Sequence, residues 1–210
     1  MQVLIGTTNP SKRKLFEQVL DGYPITFVTL TDLGITAEPE EMGANPAENA
    51  AVKAAFYGKY ADYVIGNDAG LYFDCLELDD PRQPGLHIRT PNGKRLDDEE
   101  MIEYYSRLVH TLGGRVMAYY LDGFAVKTPQ GIHTFMKSQD DARKAAFWML
   151  DTPVSERRPG WPLDSLSVEL DETSFLDEGV ELKPSTTGET KKAWVRFLAA
   201  SLGLEPLEEA

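Results

Sequence analysis

The chain opens Met1-Gln2-Val3-Leu4-Ile5-Gly6-Thr7-Thr8-Asn9-Pro10-Ser11-Lys12, and this stretch decides the fold class. Val3, Leu4 and Ile5 in a row read as a short buried strand, closed by Gly6. Thr7 to Ser11 is a polar turn. From Ser11 to Leu20 the apolar residues Leu15, Val19 and Leu20 share one helical face. Strand, turn, helix is the opening of an α/β unit. Thr26 to Leu30 has the Thr, Phe and Val content of a second strand.

Working outward, Asp32 to Ala44 reads as a loop rich in carboxylates. Asn45 then has the chemistry of an N-cap, Pro46 suits the first helical position, and Glu48 stands at capping-box spacing. The Ala-rich residues that follow carry this helix to about Tyr60. Tyr63 to Gly66 reads as a strand, Asn67-Asp68-Ala69-Gly70 as a turn, and Leu71 to Leu76 as a returning strand. Residues 77 to 96 read as loop. Asp97 to Leu112 is a helix, apolar at Met101, Ile102, Tyr105, Leu108, Val109 and Leu112 and stopped by Gly113-Gly114. Val116 to Tyr120, Phe124 to Thr128 and Ile132 to Met136 read as a meander, with Pro129-Gln130-Gly131 as a hairpin turn. Ala142 to Leu150 fits helix and strand equally, and Glu189 to Leu202 is a last helix. Mixed helices and strands around a meander predict α/β, or α+β with a mixed sheet. With no strong linker, residues 1–210 are expected to form a single domain.

The 210 residues are 42% apolar, enough for a proper core. Lys plus Arg number 21 against 34 Asp plus Glu, a net charge of -13. So acidic a surface repels a phosphate backbone, which excludes sequence-independent nucleic-acid binding but leaves room for a local basic pocket. One cysteine, Cys75, excludes a disulfide framework and a multi-cysteine metal cage. It follows an apolar strand and reads as core rather than nucleophile. No run approaches 18 apolar residues, and the start lacks the order of a secretory signal. The expectation is a soluble, cytoplasmic protein without a membrane partner.

Three clusters have residue types that chemistry uses. Thr7, Thr8, Asn9 and Lys12 stand at a helix start, where free N–H groups and the macrodipole favour anions. The same residues also suit an ordinary capped helix with a solvated Lys12-Arg13-Lys14 patch. Glu38, Glu40 and Glu41 precede Glu48, Asn49 and Lys53, and Asn49 and Lys53 share a helical face. Carboxylates grouped at a helix start suit Mg²⁺, or simply a solvated loop. Asp68 in its turn could ligate a metal or act as a base, or belong to an Asx-type turn. His87, His110 and His133 have no metal-ligand spacing, and His110 suits a structural place at a helix C-terminus.

Taken in order, these clusters resemble the inosine triphosphate pyrophosphatase family. Thr7-Thr8-Asn9-Pro10-Ser11-Lys12 takes the place of that family's Thr-Gly-Asn-x-x-Lys, with Thr8 for the glycine. Glu41-Met42-Gly43, Glu48-Asn49-Ala50 and Lys53-Ala54 match its Glu-Thr-Gly, Glu-Asn-Ala and Lys-Ala in spacing. Asn67-Asp68-Ala69-Gly70-Leu71 looks like its Asp-Asp-Ser-Gly-Leu. Pro84-Gly85-Leu86-His87-Ile88-Arg89 is similar to its Pro-Gly-x-Tyr segment, with Arg89 at a basic position. The resemblance covers about residues 1 to 128. Beyond that, Gly160-Trp161-Pro162-Leu163-Asp164 stands where the family has a glycine and aromatic-rich segment. Lys191 stands near the place of its Ser-His-Arg, of which no histidine remains.

The resemblance implies a two-lobed α/β fold, a long mixed β-sheet flanked by helices with a central cleft. It implies hydrolysis of nucleoside triphosphates carrying non-standard purines (ITP, XTP, dITP) to the monophosphate and pyrophosphate, with Mg²⁺, by a homodimer. Glu41 and Asp68, with Glu40 behind them, would hold the metal, and Asp68 would also orient or deprotonate the attacking water. Lys12, Lys53 and Arg89 would neutralise phosphate charge. Thr7, Thr8 and Asn9 would donate to phosphate oxygens, with Asn49 and Ala69 lining the same site. Trp161 would stack on the base, Asp164 would accept from it, and Lys191 would stand in for the arginine. Asn67 and the absent Ser-His-Arg leave two rivals open, a nucleotide-binding paralogue with little turnover and a phosphohydrolase of another nucleotide.

Overall fold

A computed structural model describes residues 1–176 and 188–207, with Pro10 and Ser11 described by backbone alone. Parts of the segment before the last helix, and the end of the acidic tail, lie outside the described residues. The architecture is mixed α/β. The strands run β1 (Gln2–Ile5), β2 (Thr26–Thr29), β3 (Val64–Phe73), β4 (Arg115–Thr128), β5 (Gly131–Met136), β6 (Phe147–Leu150) and β7 (Ser167–Val168). The helices are α1 (Pro10–Val19), α2 (Pro46–Tyr57), α3 (Asp98–Thr111), α4 (Gln139–Arg143) and α5 (Gly188–Ser201). Strand order is β2-β1-β3-β4-β6-β7, with β5 paired to β4. The chain divides into two compact units, one of Met1–Ala69, Asp122–Lys137 and Gly188–Ala210, the other of Gly70–Leu121 and Ser138–Thr187.

The first unit is built on β1, which pairs in parallel with β2 on one side and β3 on the other. The period of two sorts its side chains to opposite faces. Val3 and Ile5 join Phe16 and Val19 of α1, Phe124 and Val126 of β4, and Trp194 and Leu198 of α5. Leu4 between them joins Tyr57 of α2, Leu30 and Val64. Full burial of Phe16 or Phe124 stabilises by about 1.5–3 kcal/mol. On the α2 side the packing is closer, with Ala50 and Ala54 against Ala125.

That close approach explains two differences from the sequence reading. Residues 67–70 are not a turn, because β3 runs unbroken from Val64 to Phe73. Nor is there a break between Tyr120 and Phe124, since β4 is one strand of 14 residues. Gly66 and Gly123 look like punctuation but are packing positions. A Cβ on Gly66 would lie 2.2 Å from the Ala50 oxygen, and one on Gly123 would lie 2.2 Å from the Pro46 carbonyl carbon. Glycine inside a strand often marks such an approach of another backbone.

The second unit buries one face of α3 (Met101, Ile102, Tyr105 and Val109) against Phe73, Val116, Phe147 and Met149. β6 runs antiparallel to the first half of β4, Arg115 opposite Leu150 through Ala118 opposite Phe147. The stretch 142–150 resolves its ambiguity by being both, the end of α4 and then β6. Asp97 caps α3 through a full capping box with Glu100. Cys75 is exposed rather than core, because β3 ends at Phe73 and the chain turns there. His110 stands in the last turn of α3, its Nδ1 2.8 Å from Asp151 Oδ2.

Candidate active site

The start of α2 organises the site. Asn45 has extended φ and ψ of -152° and 166°, and its side chain accepts from Glu48 N at 3.0 Å. The Glu48 carboxylate reaches one residue further back than a standard box, to Ala44 N at 2.8 Å, and also takes Asn45 Nδ2 at 2.8 Å. Asn49, buried at 4% exposure, accepts from Gly43 N at 2.7 Å. These bonds tie the acidic loop to the helix and set Glu41 over its first turns.

Asn49 and Lys53 are four apart, and both point at Asp68 on β3. Asn49 Nδ2 donates to Asp68 Oδ2 at 2.9 Å and Lys53 Nζ to Asp68 Oδ1 at 3.2 Å. Lys53 Nζ also lies 3.0 Å from Glu41 Oε2, and it reaches the Asn67 carbonyl at 3.4 Å. One ammonium therefore sits between two carboxylates from distant parts of the chain. The side chains of Lys53 and Asp68 are 15% and 13% exposed and that of Glu41 is 37% exposed, so the cluster has an open side.

Asn67, next to the catalytic candidate, faces the other way. It is 5% exposed, and its Nδ2 donates to the carbonyls of Gly123 at 3.0 Å and Asp68 at 3.2 Å. It braces β3 against β4. Ala69 follows, half-buried.

The turn into α1 belongs to the same unit. Thr7 Oγ1 accepts from Asn9 N at 3.2 Å, and the Asn9 carbonyl accepts from Lys12 N at 3.1 Å. Thr8 is exposed and Lys12 half-buried. Burial pushes the Lys12 ammonium down to about 8, and the like charge of Lys53 adds to this. Asp68, Asp122 and Glu41 act in the opposite sense. Lys12 therefore lies within electrostatic reach of the Glu41, Lys53 and Asp68 cluster. Asp122 was missed in the sequence, where Asp122-Gly123 read as a break between strands. Strand alternation alone would have put it on the face of Phe124.

Glu40 is exposed, one residue before Glu41. Among the described residues no three His, Cys, Asp or Glu side chains gather as a metal cage. Mg²⁺ needs no such cage when water and substrate phosphates complete its shell, and one or two carboxylates suffice. Glu41 and Asp68, which already share one cation, fit that requirement.

The other sequence candidates are placed elsewhere. Arg89 pairs with Asp98 in the second unit, Nη1 to Oδ1 at 2.8 Å, and Asp98 Oδ2 accepts from Gly160 N at 3.3 Å. Trp161 is half-buried at the start of a 3-10 turn over Pro162–Leu166. Asp164 in that turn is 1% exposed, and Arg158 Nη1 lies 2.9 Å from its Oδ2. A base acceptor must be reachable, and burial against a guanidinium gives Asp164 an internal partner instead. Lys191 lies in the first turn of α5 in the first unit.

A sequence profile of the Ham1 family matches residues 3–138. The chain belongs to the Ham1 family. The matched region contains Lys12, Glu41, Asn49, Lys53, Asp68 and Arg89, but not Trp161, Asp164 or Lys191. Ham1 membership agrees with the inosine triphosphate pyrophosphatase resemblance, as two relatives illustrate. A dITP/XTP pyrophosphatase of Thermoanaerobacter sp. (strain X514) is 36% identical over 101 residues, 48% of this chain and 49% of that one. One of Bacillus subtilis (strain 168) is 34% identical over 103 residues, 49% and 50% of the two chains. The chain spans about half the length of the curated relatives it matches. In fold, the Ham1 protein of Staphylococcus aureus superposes with a TM-score of 0.68 at 19% identity, over 97% of this chain and 98% of that one. No helix among the described residues is long and apolar enough to cross a membrane.

Proposed function

We propose that this Ham1 chain hydrolyses nucleoside triphosphates with non-standard purines, dITP and XTP foremost, to the monophosphate and pyrophosphate. The observation that carries the reading is Lys53 Nζ held 3.0 Å from Glu41 and 3.2 Å from Asp68, with Lys12 in their field. A triphosphate approaching an acidic protein needs cations concentrated at one place, and α1 and α2 each supply one. When bound, Mg²⁺ on Glu41 and Asp68 (with Glu40 adjacent) supplies two further charges and polarises the phosphorus.

The residues of the chain do the rest. Lys12 and Lys53 neutralise charge that grows on the phosphoryl oxygens as the bond to the leaving group opens. The turn Thr7–Asn9 offers hydroxyls and amides to phosphate oxygens at the head of α1. Asp68 accepts a proton from, or orients, the attacking water, and Asn49 fixes the plane of its carboxylate by holding Oδ2. Trp161 as the stacking partner of the base and Arg89 as a phosphate contact are carried in this reading by the family resemblance alone. The reading includes a cytoplasmic homodimer, which rests on the resemblance and is checked by light scattering.

The test is product analysis. Purified protein with Mg²⁺ is offered ITP, XTP, dITP and the standard nucleotides, and inorganic pyrophosphate and orthophosphate are quantified separately. Pyrophosphate from the non-standard purines first is the expected result. Nucleotide binding without any release would favour the paralogue that binds without turnover, and orthophosphate alone would move the cleavage to another bond.

A further inference from the structure

The loop that carries Glu41 has no helix or strand of its own between Ile35 and Gly43. Burial does not hold it either, since Glu38, Glu40, Glu41 and Met42 are all exposed. Hydrogen bonds fix its two ends. Tyr57 Oη donates to the Ala37 carbonyl at 3.2 Å, and Ala44 N donates to Glu48 Oε2 at 2.8 Å. Between them, Gly43 lies directly against the first turns of α2. A Cβ there would be 2.6 Å from Asn49 Oδ1 and 2.7 Å from Glu48 Cβ. The Asn49 amide is occupied at both ends. Gly43 N donates to its Oδ1 at 2.7 Å, and its Nδ2 donates to Asp68 Oδ2 at 2.9 Å. A backbone N–H only donates and an ionised carboxylate only accepts, so the two partners fix the orientation of the amide. At 4% exposure, an end that lost its partner would find little water to replace it.

We propose that Asn49 is a positioning residue that couples the Glu41 loop to Asp68, so that these two carboxylates, one from the loop and one from β3, keep a fixed separation. What that separation serves rests on the function proposed above, in which Glu41 and Asp68 share Mg²⁺. Only a short side chain with both a donor and an acceptor fills the place. A carboxylate offers Asp68 no donor, a hydroxyl is too short to meet both partners, and an aliphatic side chain orphans Gly43 N. Lys53 also joins Glu41 to Asp68, but through a flexible stem of four methylenes. Asn49 joins loop backbone to strand carboxylate through two torsions. The ammonium balances charge, and the amide sets distance.

Two readouts test this on the full-length protein. The first needs neither metal nor turnover and follows hydrogen exchange of the Gly43 amide by NMR. Asn49→Ala, checked as folded by circular dichroism, removes the acceptor and speeds that exchange about 5-fold, the scale of one lost hydrogen bond. Asn49→Ser is the second variant if Ala does not fold. Asp68→Ala speeds the same exchange, because Nδ2 loses its partner and the amide is free to turn. In the Asn49→Ala background, Asp68→Ala adds nothing further. An unchanged Gly43 amide in Asp68→Ala overturns the proposal. So does an equal effect of Asp68→Ala in both backgrounds, which would route the coupling through Lys53. The second readout is Mn²⁺ titrated alone, without nucleotide, and followed by electron paramagnetic resonance. Asn49→Ala, which breaks both bonds, and Gly43→Ala, which pushes the loop off α2, each weaken Mn²⁺ binding about 10-fold, the usual effect of losing a group that supports metal ligands. The double variant binds no more weakly than the weaker single one. A residue that serves stability alone would lower the melting temperature and leave Mn²⁺ affinity at the wild-type value, and that result overturns the proposal. A wild-type protein that binds no Mn²⁺ overturns the metal reading of the function above, and the exchange cycle then decides the link between the loop and Asp68 by itself.

Discussion

Asn67 carries no charge where the inosine triphosphate pyrophosphatase motif has an aspartate, and the structure shows what the amide does. Its Nδ2 donates to two carbonyls. An ionised aspartate would set a carboxylate against those oxygens, whereas a protonated one could still donate. In Asn67→Asp the new carboxyl therefore has a raised folded-state pKa. The folded state then holds more protons than the unfolded one above the ordinary carboxylate range, so stability falls as pH rises through that window. Urea melts should show Asn67→Asp close to wild type near pH 4.5 and less stable by about 1–3 kcal/mol at pH 8. Equal destabilisation at both pH values would contradict the donor role. Lys12 gives a second residue-scale expectation. Its folded pKa of about 8 is below the ordinary 10.5, so between these values the unfolded chain binds more protons. The Lys12 contribution to stability is thus unfavourable at and below pH 8 and is relieved as pH rises toward 10.5. An anion bound beside Lys12 pulls its pKa back up. Pyrophosphate binding above pH 8 should therefore take up protons, read by calorimetry in two buffers of different ionisation enthalpy, and zero uptake would argue that Lys12 does not meet the anion. The pairing of Asn49 with Lys53 was legible in the sequence as helical spacing. Their common target Asp68 was not, because it is 19 residues from Asn49 and spacing says nothing across elements.

At the scale of elements, the sequence announces its starts better than its continuities. Asn45, Pro46 and Glu48 mark the head of α2, and the cap forms where they say. Asp97 does the same for α3. Asn67 to Gly70 and Asp122-Gly123 carry the composition of turns, and there local propensity misleads. Helix α2 packs so tightly on β3 and β4 that small residues are needed at its contact points, and the tertiary requirement outweighs the local one. The consequence is measurable at Gly123. A methyl there meets backbone atoms of Pro46 and Ala47 at 2.2 and 2.3 Å, which no rotamer change relieves. Gly123→Ala should destabilise by about 1–3 kcal/mol, the usual range for overpacking. Because it pushes on the head of α2, it should also weaken pyrophosphate binding. A melting temperature equal to wild type would mean that α2 does not approach β4 so closely.

For the whole molecule, the first unit gathers Thr7 to Lys12, Glu41, Asn49, Lys53 and Asp68 from segments spread over its first 69 residues. The Ham1 profile covers the same region. This is why the proposed phosphate chemistry was legible in sequence. Its residues fall in ordered blocks with recognisable spacing. The burial of Asp164 was not legible for a physical reason, since a buried carboxylate paired with Arg158 looks no different in sequence from an exposed acceptor. The central claim, that the cluster around Asp68 turns over a triphosphate, has one direct test. Pyrophosphate release from XTP should be measured at saturating Mg²⁺ for wild type and Asp68→Asn, with folding of both confirmed. Asn keeps the shape and removes the charge and the proton acceptor. The account predicts a fall in kcat of about 10²–10⁴-fold, the usual contribution of a general base. Release from Asp68→Asn at the wild-type rate would contradict it.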